Sequence, residues 1–88
     1  MARFELLETA GSGIGEAPAS ADALFELGII YASGRAVPVD LVSAHKWFNL
    51  AAMKGVNEAR SWRAQLSREM SAGQIAEAQR QAREWLRA

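Results

Sequence analysis

The chain has 88 residues, half of them apolar, with ten Lys or Arg balanced by ten Asp or Glu. That is enough for one small domain and too apolar for a disordered tail. The absence of cysteine excludes disulfides and thiolate chemistry, and a single histidine leaves a zinc site without ligands. No apolar run approaches the roughly 20 residues of a membrane helix. The start, MARFELLETAG, is acidic where a secretory leader is basic and then apolar, so a cytoplasmic protein is expected.

Residues 1–8 form a short apolar and acidic segment whose Phe4, Leu6 and Leu7 are too apolar for a purely solvated tail. They read as an arm that packs on its own domain or on a partner. Residues 9–20, TAGSGIGEAPAS, are small and rich in Gly and Ser, and read as a flexible linker. The Gly11-Ser12-Gly13-Ile14-Gly15 run resembles a dinucleotide-binding turn in glycine spacing only. That mechanism needs a strand before the glycines and a βαβ unit to hold the nucleotide, and the chain has room for neither.

A first helix is predicted from a Ser20 or Asp22 cap to about Ser33. Ala23, Leu24, Leu27, Ile30 and Tyr31 recur at steps of three and four and share its inner face. Gly34 can take positive φ and stop the helix, and Pro38 cannot continue it. Asp40 is placed to cap a second helix over about residues 41–54. Its inner face is Leu41, Ala44, Trp47, Phe48, Ala51 and Ala52, and Gly55 ends it. Small residues at 23, 28, 44, 51, 52 and 59 let the helix backbones approach, while Tyr31, Trp47 and Phe48 fill the space left. A third helix is predicted from an Asn57 cap to near Met70, with Ala59, Trp62, Leu66 and Met70 inward. Ser71 and Gln74 match a capping box opening a fourth helix, with Ile75, Ala78, Ala82, Trp85 and Leu86 inward.

The segment at residues 82–86 repeats the pattern of residues 44–48 thirty-eight positions on, and Ala59 follows Ala23 by thirty-six. A period in that range signals stacked helical repeats. The spacing A-x-x-x-L-G-x-x-Y-x-x-G-x-x-V-x-x-D-x-x-x-A-x-x-W-x-x-x-A-A-x-x-G-x-x-x-A resembles the Sel1-like repeat, an α/α repeat related to the tetratricopeptide family. Ala23, Leu27, Gly28, Tyr31, Gly34, Val37, Asp40, Ala44, Trp47, Ala51, Ala52, Gly55 and Ala59 supply its positions. Ala36 departs from it, standing where many family members carry a second glycine of the turn. The expected fold is all-α: about four antiparallel helices, with a full repeat at 21–56 and a degenerate capping repeat at 57–88. The resemblance implies a protein–protein scaffold or adaptor, not a catalyst.

By likeness to related repeats, outward groups on the first and third helices would line a concave partner-binding face: Phe25, Ile29, Arg60 and Arg63. Phe25 and Ile29 lie off the inner stripe, and an exposed apolar patch marks a partner. On that expectation, changing either to glutamate abolishes binding and leaves the helical spectrum intact. His45 is expected at the surface or half-buried. Trp47, Trp62 and Trp85 read as core.

Charge is unevenly spread. Residues 1–40 carry Arg3 and Arg35 against six carboxylates, a net −4, and residues 41–88 carry eight cations against four, a net +4. Arg80, Arg83 and Arg87 share a helix face, which fits an acidic peptide or protein surface. Glu77 and Glu84 within a turn weigh against nucleic acid. The expected function is therefore a small cytoplasmic adaptor or regulatory subunit that binds another protein, with no cofactor and no metal. The alternatives are a self-associating repeat module, in which a second copy covers the open end, and a small nucleic-acid-binding protein.

Overall fold

The computed structural model describes residues 20–88; the arm and linker expected at 1–20 lie almost wholly outside the described residues. The described chain forms four helices and no strand: α1 (Ala21–Ser33), α2 (Leu41–Met53), α3 (Asn57–Ser67) and α4 (Ala72–Arg87).

The helix ends follow local chemistry. Ser20 caps α1 by accepting from the Ala23 N–H at 3.1 Å. Gly34 closes it at φ 74°, its N–H donating to the Ile30 carbonyl, a backbone shape that costs glycine little. Asp40 starts α2 by accepting from the Ser43 N–H at 3.1 Å and the Ser43 hydroxyl at 2.8 Å. The Asp40 N–H itself reaches back to the Tyr31 carbonyl at 3.0 Å, pinning the start of α2 to the end of α1. Ser71 and Gln74 form the reciprocal capping box of α4.

Two boundaries differ from the expectation. Asn57 is the first residue of α3 and Val56 its cap, with no side-chain cap bond. The reason is a tight turn: the Val56 N–H donates back to Ala51, so the chain is already positioned for helix one residue early. At the other end α3 stops at Ser67, where residues 68–70 tighten into bonds to carbonyls three residues back, which still leaves Met70 buried.

The architecture centres on α2. It packs extensively against α1, α3 and α4, while no other pair of helices shares more than marginal contact. α1 and α2 lie antiparallel, with Phe25 against Phe48 at mid-helix and Tyr31 beside Asp40 at the turn. α3 and α4 each lean on α2 more than on one another. Phe48 is the centre of the core: fully buried, tilted against Phe25 at 5.7 Å and stacked on Trp62 at 5.6 Å, it ties α1, α2 and α3 together. A Cβ on Gly28 would sit only 2.5 Å from the edge of that ring, so the glycine is what lets α1 approach. Trp47 meets Trp85 edge to face at 5.9 Å and joins α2 to α4.

Because α2 is surrounded, its buried arc is wider than one stripe, and it takes in Leu50 and His45 beside the expected residues. His45 is 2 % exposed, not at the surface or half-buried as expected. Leu86, expected inward, is 51 % exposed. Ala78, Ala82 and Trp85 form the face of α4 that meets α2, and the next residue lies about 100° round the helix.

Candidate protein-interaction site

The family motif residues distribute around the α1–α2 contact. Ala44, Ala51 and Ala59 are fully buried, and Gly28 and Ala52 nearly so. Ala23, Leu27, Tyr31 and Trp47 are half-buried, Gly34 and Gly55 take positive φ, and Asp40 is an exposed cap. These positions build the scaffold and leave little of themselves for a partner.

Of the four residues expected to line a partner face, the structure brings two together. Arg60 and Arg63, one turn apart on α3, flank Ala52 and Met53 at the end of α2, and the four line a shallow groove of about 210 Å3. Arg60 is exposed. Arg63 is half-buried, its guanidinium donating to the Asn49 side-chain oxygen at 2.6 Å, which fixes its position on the groove wall. Met53 is 60 % exposed and gives the groove a flexible apolar floor. Phe25 and Ile29 are elsewhere in character: both are half-buried and packed against the core, and Phe25 is engaged with Phe48. The exposed apolar patch expected of them is not present, because α2 covers the flank of α1 that a single-stripe reading leaves open. Met53 and Asn49 were not singled out from sequence. Each lies on an ordinary helical stretch, and only the approach of α3 gives either one a role.

Behind the groove lies a buried polar link. His45 Nε2 is 3.0 Å from the Ser67 hydroxyl, which itself donates to the Arg63 carbonyl at 3.0 Å. The hydroxyl proton being used, Ser67 accepts from an Nε2–H, so His45 carries a proton on that nitrogen. Its Nδ1 is buried with no partner. Burial, and then the nearby positive charge of Arg63, push the His45 pKa below the usual histidine value.

A second open groove, of about 520 Å3, lies at the opposite end of the α1–α2 pair. It is lined by Tyr31, residues 37–42 and Gln74. It carries the Asp40 carboxylate, and Val39 stands on its rim. On the outer face of α4, Arg80 bridges Glu84 at 2.7 Å and also pairs with Glu77. The hydrogen bond from Arg80, followed by one from Gln81, pulls the Glu77 carboxyl down to about 2. The expected stripe of Arg80, Arg83 and Arg87 is thus partly neutralised within its own helix. Lys46 sits 4.2 Å over the Trp47 ring, and burial lowers its pKa while Asp40 opposes the shift. Among the described residues no group of three or more His, Cys, Asp or Glu side chains converges as a metal site would require, and no helix is long and apolar enough to cross a membrane.

Comparison with known protein families places this geometry. The Sel1 repeat matches the chain at residues 21–56 and again at 64–88. The chain belongs to the Sel1 repeat family, whose repeats are generally protein–protein interaction modules. The first match spans α1, α2 and the turn after them; the second covers the end of α3 and all of α4. No curated protein and no solved structure matches the chain.

Proposed function

We propose that this protein is a small adaptor or regulatory subunit that binds an acidic, partly apolar segment of a partner protein in the groove formed by Ala52, Met53, Arg60 and Arg63. The observation that carries this reading is the pairing of a mostly exposed methionine with two arginines on one concave surface. An exposed thioether accepts apolar side chains of varied shape, and guanidinium groups recognise carboxylates with directional hydrogen bonds. Arg63 is preorganised by Asn49, so less of its side-chain freedom is lost when a carboxylate arrives. The net charge of +4 over residues 41–88 supports attraction of an acidic partner at a distance.

The test compares affinity capture from the native cell by the wild-type chain and by Met53→Glu and Arg60→Glu variants. Both side chains are exposed, so the variants keep the helical spectrum. A partner captured by the wild type and lost by both variants supports the groove. A partner captured equally by all three refutes it. Phe25→Glu and Ile29→Glu cannot serve in this test, because each places a charge against the core and lowers the stability of the scaffold as well.

A further inference from the structure

We propose that copies of this chain bind one another by unlike ends: the turn at Pro38, Val39 and Asp40 of one copy seats on Met53, Arg60 and Arg63 of a second. This rests on the groove at Met53, Arg60 and Arg63 being a protein-binding site, and gives it one occupant.

The two ends of α2 carry opposite chemistry. At its C-terminal end Met53, 60 % exposed, shares a groove with Arg60 and Arg63. At its N-terminal end Val39, 57 % exposed, stands beside the Asp40 carboxylate. Val39 and Met53 are two of the three large apolar side chains exposed among the described residues. The charges are open to a partner. Asp40 accepts two hydrogen bonds, both from Ser43, and a carboxylate offers about four acceptor sites. The Arg60 guanidinium has no hydrogen bond or ion pair among the described residues. Arg35, earlier in the same turn as Val39, does not line the groove there. Neither end complements itself: like ends would set arginines against arginines, or Asp40 against Asp40. Unlike ends pair a carboxylate with guanidinium groups and cover both apolar side chains.

The contact cannot form within one molecule. Between Leu41 and Met53 α2 rises about 18 Å, at roughly 1.5 Å per residue. The turn is held at its own end, by the Asp40 N–H bond to the Tyr31 carbonyl and by Val39 lying against Gly34. A second copy must therefore supply the other surface. Each copy carries both surfaces, so two copies that exchange both contacts close into a pair, and single contacts continue as a row.

Sedimentation velocity of the full chain, from micromolar to millimolar concentration, tests the contact. The wild-type mass is expected to rise above the 9.6 kDa of one chain as concentration increases. Val39→Lys and Arg60→Glu, each alone, are expected to lose that rise. Their far-UV circular dichroism should not change, because both side chains are exposed. Asp40→Asn keeps the helix cap but removes the charge, and is expected to weaken association by up to about fivefold, the scale of an exposed ion pair. An equimolar mixture of Val39→Lys and Arg60→Glu chains is expected to associate again, since the first keeps an intact groove and the second an intact turn. A wild type that stays at one chain throughout would overturn the proposal. So would a Val39→Lys or Arg60→Glu chain that associates as the wild type does, or a mixture that remains monomeric. These readouts use no other protein, so their failure is separate from a failure of the Met53→Glu and Arg60→Glu capture test.

Discussion

Replacing Gly28 with alanine tests the packing that sets the fold. A Cβ at that position would lie 2.5 Å from Cε1, 2.6 Å from Cδ1 and 2.9 Å from Cζ of Phe48. The Phe48 ring cannot swing aside. It is fully buried, with Trp62 stacked at 5.6 Å and Phe25 tilted at 5.7 Å. Overpacking of a core costs about 1–3 kcal/mol, and three close ring atoms put this case at the upper end. Alanine is the better helix former by about 1 kcal/mol, which offsets part of the cost. The expected net loss is about 2 kcal/mol. For a domain of this size that lowers Tm by roughly 8–16 °C. Thermal and urea unfolding followed by far-UV circular dichroism measures it. Gly73→Ala is the control, since the nearest atom to its new Cβ is the Ser71 hydroxyl at 3.9 Å, and its stability should be unchanged or slightly raised. A smaller ring neighbour should relieve the clash, so Phe48→Leu in the Gly28→Ala background should cost less than the sum of the single changes. If Gly28→Ala is as stable as the wild type, the close approach of α1 to Phe48 is wrong, and with it the account of how the helices are held.

His45 makes stability depend on pH. Its pKa in the folded chain is below the ordinary 6.5, so the unfolded chain takes up the proton first as pH falls. Stability is full above about 6.5 and declines as pH drops from there toward the lowered folded value. His45→Gln should flatten the urea midpoint between pH 7 and 5, and because His45 is the only histidine, its ring resonances titrate without overlap. Glu77 acts in a separate window, losing its contribution only as pH falls from 4.5 toward about 2. Asp40→Ala removes the acceptor for the Ser43 N–H and should cost about 1 kcal/mol in urea unfolding, with Asp40→Asn close to wild type. Trp85→Ala leaves Trp47 without its edge-to-face neighbour. Because Trp85 is only half-buried, the cost should fall below the roughly 3–5 kcal/mol of a fully buried ring, and weakened protection should show in α4 by hydrogen exchange.

The caps, the turn and the inner stripes were legible because each depends on a few neighbours in sequence. Ser20, Asp40, Ser71 and Gln74 announce helix starts through side chains that reach only three residues. Gly34 announces a stop through its own φ. The same reasoning mislaid His45, Leu50 and Leu86, whose burial depends on how many helices surround them. It also assigned Phe25 and Ile29 to an exposed face. The stripe on α1 was read correctly as far as it went, but residues beside it are covered by the breadth of α2.

For the candidate site the division is sharper. Arg60 and Arg63 were picked out as basic and outward, and they do share a groove wall. Its floor, Met53, and the Asn49 oxygen that holds Arg63 come from a different helix, so no spacing within α3 points to them. Sequence alone determined four helices, their ends apart from those of α3, and their membership in an α/α repeat, since backbone hydrogen bonding and apolar periodicity are local. The tertiary structure decided that α2 sits at the centre, that its only histidine is sealed away from water, and that a methionine and two arginines face one another. Those outcomes depend on which surfaces exclude water from each other, and that is fixed only when all four helices are in place.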